Sequence, residues 1–189
     1  MIEGGRISDA TLLRAAKRER LSLRHDAFEE ILLRYERLVF HIASRYFKSH
    51  EDAMDASQEA ALKVYNGLPG VTIAEDGSLK AWICTVTARA CLDILRKRRV
   101  QTTELTDELT PATAPSAEEG AFANERVRET LSAINSLSDD HRMVVILRDM
   151  HGLSYDEIAE ALEVSIGTVK SRLSRARAAL QAKLGAVAQ

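Results

Sequence analysis

The side chains with the most legible chemistry lie in LSYDEIAEALEVSIGTVKSRLSRARAAL, residues 153–180. Val169, Leu173, Ala176 and Leu180 recur at helical spacing, with Lys170, Ser171, Ser174 and Arg175 on the opposite side. A helix held by its apolar side and basic on its outer side can enter a major groove. There Lys or Arg donates to guanine O6 and N7, and serines bond bases or phosphates. A basic amphipathic helix in a plain bundle looks the same, so the flanking residues decide. Ser154 with Glu157 is a capping box, and Ile158, Ala159 and Leu162 form the inner face of a first helix. Glu163-Val164-Ser165 makes a short turn, and Ser165 can cap the second helix with Thr168 three residues on. From Ser165 to Lys183 there are five positive charges and no acid. The pattern predicts a helix-turn-helix.

Other candidates are less specific. Arg96-Lys97-Arg98-Arg99 is a compact basic cluster that either binds phosphate or forms a solvated helix end favoured by the dipole. Asp55, Gln58 and Glu59 place polar acceptors one turn apart on one helix face. Cys84 and Cys91 are about two turns apart on one face, too far for a strain-free disulfide, and predict buried thiols. His25, His41, His50, His141 and His151 are scattered without ligand spacing. No Gly-rich phosphate loop or His-Glu-x-x-His occurs, and the acids of 51–59 lack Glu-x-x-His partners. Neither catalysis, a metal nor a cofactor is predicted.

These residues need helices to position them. The 189-residue chain has 5% aromatics, only nine Gly and three Pro, which favours helices over a sandwich or barrel. Helices are predicted from Ser8-Asp9 through Ala16, over Ala27–Tyr46, Glu51–Asn66, and Leu79 to about Val100 behind a Ser78 cap. Further helices are predicted over Ala121–Ile134, Asp139–Met150, Ser154–Leu162 and Ile166–Leu184. Residues 101–121 are rich in Thr, Ala, Pro and acids and read as a linker. The net charge of −2 splits into +3 over residues 1–100, −6 over 101–125 and +1 over 126–189. The expected fold is all-α, with two small helical domains joined by a flexible acidic linker, the C-terminal one containing the helix-turn-helix. No apolar run is long enough for a membrane span and the N-terminus lacks a signal-peptide core, so a cytoplasmic protein without membrane insertion is expected.

Residues 136–180 resemble the C-terminal domain of bacterial RNA polymerase sigma factors of the extracytoplasmic-function (ECF) group. Tyr155-Asp156-Glu157-Ile158-Ala159, Gly167-Thr168-Val169-Lys170-Ser171-Arg172 and Arg175-Ala176-Arg177 carry the likeness. Ser8-Asp9 with Leu12-Leu13, Ala27-Phe28-Glu29, Glu51-Asp52-Ala53 with Asp55, Gln58-Glu59, and Trp82 with Asp93 and Arg96 follow in the family's order.

The resemblance implies a sigma factor that binds core RNA polymerase and directs it to specific promoters. Residues 8–100 would be domain 2, docking on the β′ clamp helices through Asp55, Gln58 and Glu59. Arg89, Arg96, Lys97, Arg98 and Arg99 would hold DNA at the −10 element. Residues 101–121 would be the linker, displaced by like-charged RNA or acting as a plain tether. Residues 122–184 would be domain 4, contacting the β flap and reading the −35 element through Thr168, Lys170, Ser171, Arg172, Ser174, Arg175 and Arg177. The loop between Asn66 and Ser78 would capture a flipped base, and Trp82 would either stack on a base or belong to the core. An anti-sigma factor is the implied regulator, and no third domain is expected after Leu184. Three positions depart from the family: Arg89 replaces a common Asn, Ala61 an aromatic, and Leu137-Ser138 a Leu-Pro. The competing reading is a free-standing helix-turn-helix regulator.

Overall fold

A computed structural model of the chain describes residues 2–3, 6–17, 21–74, 77–104 and 125–187. Eight α-helices appear among them: α1 (Asp9–Ala16), α2 (Leu21–Tyr46), α3 (His50–Gly67), α4 (Lys80–Glu104), α5 (Glu125–Asn135), α6 (Asp139–Val145), α7 (Tyr155–Leu162) and α8 (Ile166–Val187). A short 3-10 turn, Leu68–Gly70, follows α3, and a π-helical segment, Ile146–Met150, continues α6. The described strands are an antiparallel ladder pairing Ile2 with Ile7 and Glu3 with Arg6.

Serine hydroxyls start several helices. Ser8 accepts from the Thr11 amide, and Ser49 accepts from the Asp52 amide. Ser78 accepts from the Lys80 amide at 3.1 Å. Ser138 occupies the N-cap of α6 in extended geometry, but its hydroxyl makes no cap bond; Asp139 and Asp140 in the first turn suit the positive helix end instead. The 26-residue α2 begins six residues before the predicted Ala27. His25 and Asp26 are exposed while Ala27 is buried, so the apolar stripe marks where burial begins rather than where the helix does. At its other end α4 runs four residues into the predicted linker, whose remainder lies outside the described residues.

The first half has its own core: Leu12, Leu13 and Ala16 of α1 meet Ile31 and Val39 of α2, Ala60 and Val64 of α3, and Ile83 and Ala90 of α4. Asp9 ties this core together and is only 7% exposed. It accepts hydrogen bonds from the Tyr35 hydroxyl, Arg34 Nη1 (2.7 Å), the Leu79 amide (2.8 Å) and Ser78 Oγ (3.3 Å). Burial pushes the Asp9 carboxyl up, but the bonds from Tyr35, Leu79 and Arg34 outweigh it and hold the pKa below the ordinary value. Trp82 packs against this same core at the end of α3. A Cβ on Gly67 would sit 3.0 Å from the Trp82 ring, so glycine permits that contact.

The two halves do not stand apart. A second core runs through both, joining Ile42, Tyr46, Ala56, Cys84, Ala88 and Cys91 to Val144, Leu147, Ile158, Leu162, Val169 and Leu173. Cys84 and Cys91 are buried thiols as predicted, and burial raises their pKa values to about 11 and about 12. At this seam α4 lies against α7, and α2 against α5, α6 and the π segment.

Candidate nucleic-acid interface

The α7–turn–α8 unit is fixed from its caps inward. The Ser154 amide donates to Glu157 Oε2 at 2.7 Å, and the Glu157 amide donates to Ser154 Oγ at 3.2 Å, the predicted reciprocal box. Ile158, Ala159 and Leu162 are buried as the inner face of α7. The helix ends at Glu163, whose φ of 56° lies in the left-handed region, and the Val164 amide then donates back to the Ala159 carbonyl at 3.0 Å. Ser165 Oγ accepts from the Thr168 amide at 3.1 Å and starts α8.

Val169, Leu173 and Ala176 of α8 are buried and Leu180 is half-buried. Lys170, Ser171, Ser174 and Arg175 are exposed on the other side. Thr168 is half-buried and shares a hydrogen bond with Ser165 Oγ at 2.9 Å. Two of the remaining predicted −35 residues are braced against the second half's own helices. Arg172 bonds Asp140 at 2.8 Å, and the Arg177 guanidinium grips both oxygens of Asp149, which raises its pKa. Asp140 and Asp149 were not singled out by sequence reasoning. No local signal pairs them with arginines 32 and 28 residues away.

On α3, Asp55 and Gln58 are exposed. Glu59 pairs with Lys63 at 3.7 Å, and Lys63 reaches Asp93 of α4 at 2.6 Å. Met54 and Leu62 stand exposed on the same face, 40% and 61%, which makes it mixed acidic and apolar. Both fall outside the buried series Ala53, Ala56, Ala60 and Val64, and that offset was the available signal.

The predicted −10 residues separate. Arg96 is exposed and pairs loosely with Asp93 at 3.8 Å, and Lys97 is exposed. The α4 helix runs through Arg98 and Arg99, whose side chains lie outside the described residues. Arg89 instead reaches α7: its Nη2 donates to the Glu160 carbonyl at 2.8 Å and its Nε to the Ala161 carbonyl at 3.3 Å. Glu163 lies 3.7 Å away. Residues 71–74 of the predicted base-capturing loop form no regular element, with Val71 extended, and 75–76 lie outside the described residues.

Two histidines that looked scattered also meet at the seam. His41 Nδ1 and His151 Nε2 are 3.3 Å apart, Arg45 Nε lies 3.4 Å from His41 Nε2, and Lys80 Nζ donates to the His151 carbonyl at 2.8 Å. Burial, His41 and Lys80 together lower the His151 pKa to about 4.

Two family models match the chain in order: Sigma-70 region 2 over residues 31–100 and Sigma-70, region 4 over residues 128–180. A helical first half and a helix-turn-helix second half, each carrying its own region, define a chain of the sigma-70 class. The chain is 34% identical to the ECF RNA polymerase sigma factor SigM of Mycobacterium tuberculosis (strain ATCC 25618 / H37Rv), over 84% of this chain and 78% of that protein. It is 31% identical to the ECF RNA polymerase sigma-E factor of Escherichia coli (strain K12), over 84% of this chain and 86% of that one. Among solved structures, RpoE of Bartonella quintana, in complex with the anti-sigma factor NepR, superposes with a TM-score of 0.69 at 28% identity, covering 84% of this chain and 96% of that chain. CnrH, in complex with the cytosolic domain of CnrY, shares the fold with a TM-score of 0.62 at 24% identity, covering 94% of this chain and 97% of that chain.

The chain belongs to the ECF family of RNA polymerase sigma factors. It is an alternative sigma factor, directing RNA polymerase to promoters. The pairing of both regions in one chain does not favour the free-standing regulator. No helix among the described residues is long and apolar enough to cross a membrane.

Proposed function

We propose that this factor divides its work between residues 8–100 and 122–184. The first part docks on the β′ clamp helices of core polymerase through Asp55, Gln58 and Glu59, with Met54 and Leu62 adding apolar contact. Its basic α4 end, Arg96 to Arg99, holds phosphates near the −10 element. The second part reads the −35 element through the open face of α8 and contacts the β flap. Lys170, Ser171, Ser174 and Arg175 touch DNA there, and Thr168 adds its hydroxyl at the helix start. Arg172 and Arg177 keep α8 seated on α6 and the π segment, and their outer nitrogens face phosphate. The chain is a non-catalytic specificity subunit, acts in the cytoplasm, and is restrained by an anti-sigma protein; the solved complex of RpoE with NepR supports that last assignment.

One observation carries the reading: an exposed row of two cations and two serines on a helix whose opposite stripe is buried. Lys170→Ala with Arg175→Ala tests it in run-off transcription with core polymerase. Loss of two base or phosphate contacts lowers output from the cognate promoter about 10- to 100-fold. The salt dependence of promoter binding becomes shallower by about two phosphates' worth, and affinity for core polymerase stays unchanged. Unchanged transcription from every template overturns the assignment.

A further inference from the structure

The seam between the halves raises a geometric problem. The −10 and −35 elements are about 25 base pairs apart, or about 85 Å of B-form DNA at 3.4 Å per step. Yet the α4 helix of the first half touches α7 of the second, with Arg89 Nη2 only 2.8 Å from the Glu160 carbonyl. In this arrangement one chain cannot reach both elements, so the halves must part before the factor works.

What holds them is specific. The last carbonyls of a helix lack intrahelical partners and carry its negative pole. Arg89 supplies a bidentate cation to two of them, Glu160 and Ala161, beside the Glu163 carboxylate. Lys80 Nζ on the Lys80-to-Arg89 side of α4 bonds the His151 carbonyl, and Arg142 Nη1 of α6 bonds the Tyr46 carbonyl at 2.7 Å. Other features keep the seam from being permanent. The Tyr46 hydroxyl is buried there with no partner among the described residues, an unfavourable burial that opening to water relieves. A cleft of about 220 Å³ also remains in the seam, lined by Leu92, Arg96, Met143, Glu163 and Arg172 among others.

We propose that Arg89 is a clasp: in the isolated chain it caps the end of α7 and holds the helix-turn-helix against α4, and it releases when core polymerase draws the halves apart. The inference rests on the promoter-spanning reading above. It gives the arginine that replaces the family's common asparagine a role within the chain itself. Because only opened chains dock productively, the clasp lowers apparent affinity for polymerase by the fraction open.

The full chain is labelled at Leu33→Cys on α2 and Ala179→Cys on α8, both exposed positions, and the distance between labels is measured by pulsed electron resonance. Cys84 and Cys91 lie in the core of the seam and become accessible when it opens, so both are replaced by Ala in every labelled chain, the reference chain included. The free chain gives one short distance, and core polymerase lengthens it. Arg89→Ala raises the long-distance population of the free chain about tenfold and tightens polymerase binding several-fold. Lys80→Ala shifts both in the same direction by less, and it serves alone if Arg89→Ala loses helicity. A long distance in the free wild-type chain, or variants that stay as closed as wild type, overturns the clasp. Failure of wild-type run-off transcription removes the promoter reading instead, while the free-chain distances still decide whether Arg89 closes the seam.

Discussion

Asp9 and Arg89 each join helices far apart in sequence, on opposite terms. Asp9 is 7% exposed and its two carboxylate oxygens receive four donors from α2 and the start of α4. The Arg89 side chain is 43% exposed and grips backbone carbonyls, which would bond water equally well. Around Asp9, separation breaks four hydrogen bonds to one buried carboxylate and leaves the nearly buried Arg34 guanidinium only Glu30 of its own helix. At the seam, separation returns each polar group to solvent and frees the Tyr46 hydroxyl from an unpaired site. The first half is therefore a rigid body, and the seam beside it is a joint.

Removing Asp9 has the largest effect. Asp9→Ala takes from Arg34, whose side chain is 13% exposed, its buried carboxylate and leaves it Glu30 alone, leaves the Tyr35 hydroxyl only Ser78 Oγ, and unpairs the Leu79 amide. A broken buried ion network costs about 3 kcal/mol, seen as a fall in Tm of about 10 °C. Helix α1 loses protection from hydrogen exchange first. A change below about 1 kcal/mol would put the two regions on the same footing.

Acid separates the regions in order. His151 has a pKa of about 4 in the closed chain against the ordinary 6.5, so it is neutral there and charged once exposed. The opened form thus binds more protons between those values, and closure weakens as pH falls from about 6.5 toward 4. The groups facing it point the same way: His41, itself beside Arg45, from α2, and Lys80 from α4 add positive charge. Asp9 behaves differently. Its lowered pKa gives stability that is present above the ordinary carboxylate value and is lost only as pH falls through the depressed one. Label distances across the seam should lengthen by pH 5 while near-ultraviolet signals from the first half persist. His151→Gln flattens the response of the seam, and simultaneous loss of both signals would erase the distinction.

The contrast was only partly legible in the sequence. The elements were readable because their signals are local: Ser8 and Ser78 start helices, Ser154 with Glu157 forms its box, and Val169, Leu173 and Ala176 mark the inner side of α8. The start of α2 was not, because residues before Ala27 are exposed and carry no stripe. Nor was the joining of the halves. Spacing predicts that Cys84 and Cys91 are buried, but not that they share a core with Ile158 and Leu162 some seventy residues later in α7. Asp9 reads as a capping neighbour of Ser8 because its donors, Arg34, Tyr35 and Leu79, are 25 to 70 residues away. Arg89 read as a DNA contact from its charge and its place in the family pattern; the carbonyls it meets have no signature in side-chain sequence.

Tyr46→Phe makes the smallest and most discriminating change. Tyr46 is 2% exposed, burial raises its pKa, and its ring packs edge-on against Phe47 with centroids 5.1 Å apart. Removing the hydroxyl keeps that packing and deletes a polar group that has no partner among the described residues. A buried unpaired hydroxyl costs about 1 kcal/mol, so the variant should favour closure by about that amount, roughly a fivefold smaller open fraction. Polymerase binding should weaken to match, without loss of Tm. The direction is opposite to that of Arg89→Ala, and the double variant should return close to wild-type opening if both act on one joint. An open fraction that rises in Tyr46→Phe would mean the hydroxyl is satisfied in the closed chain and that closure carries no such penalty.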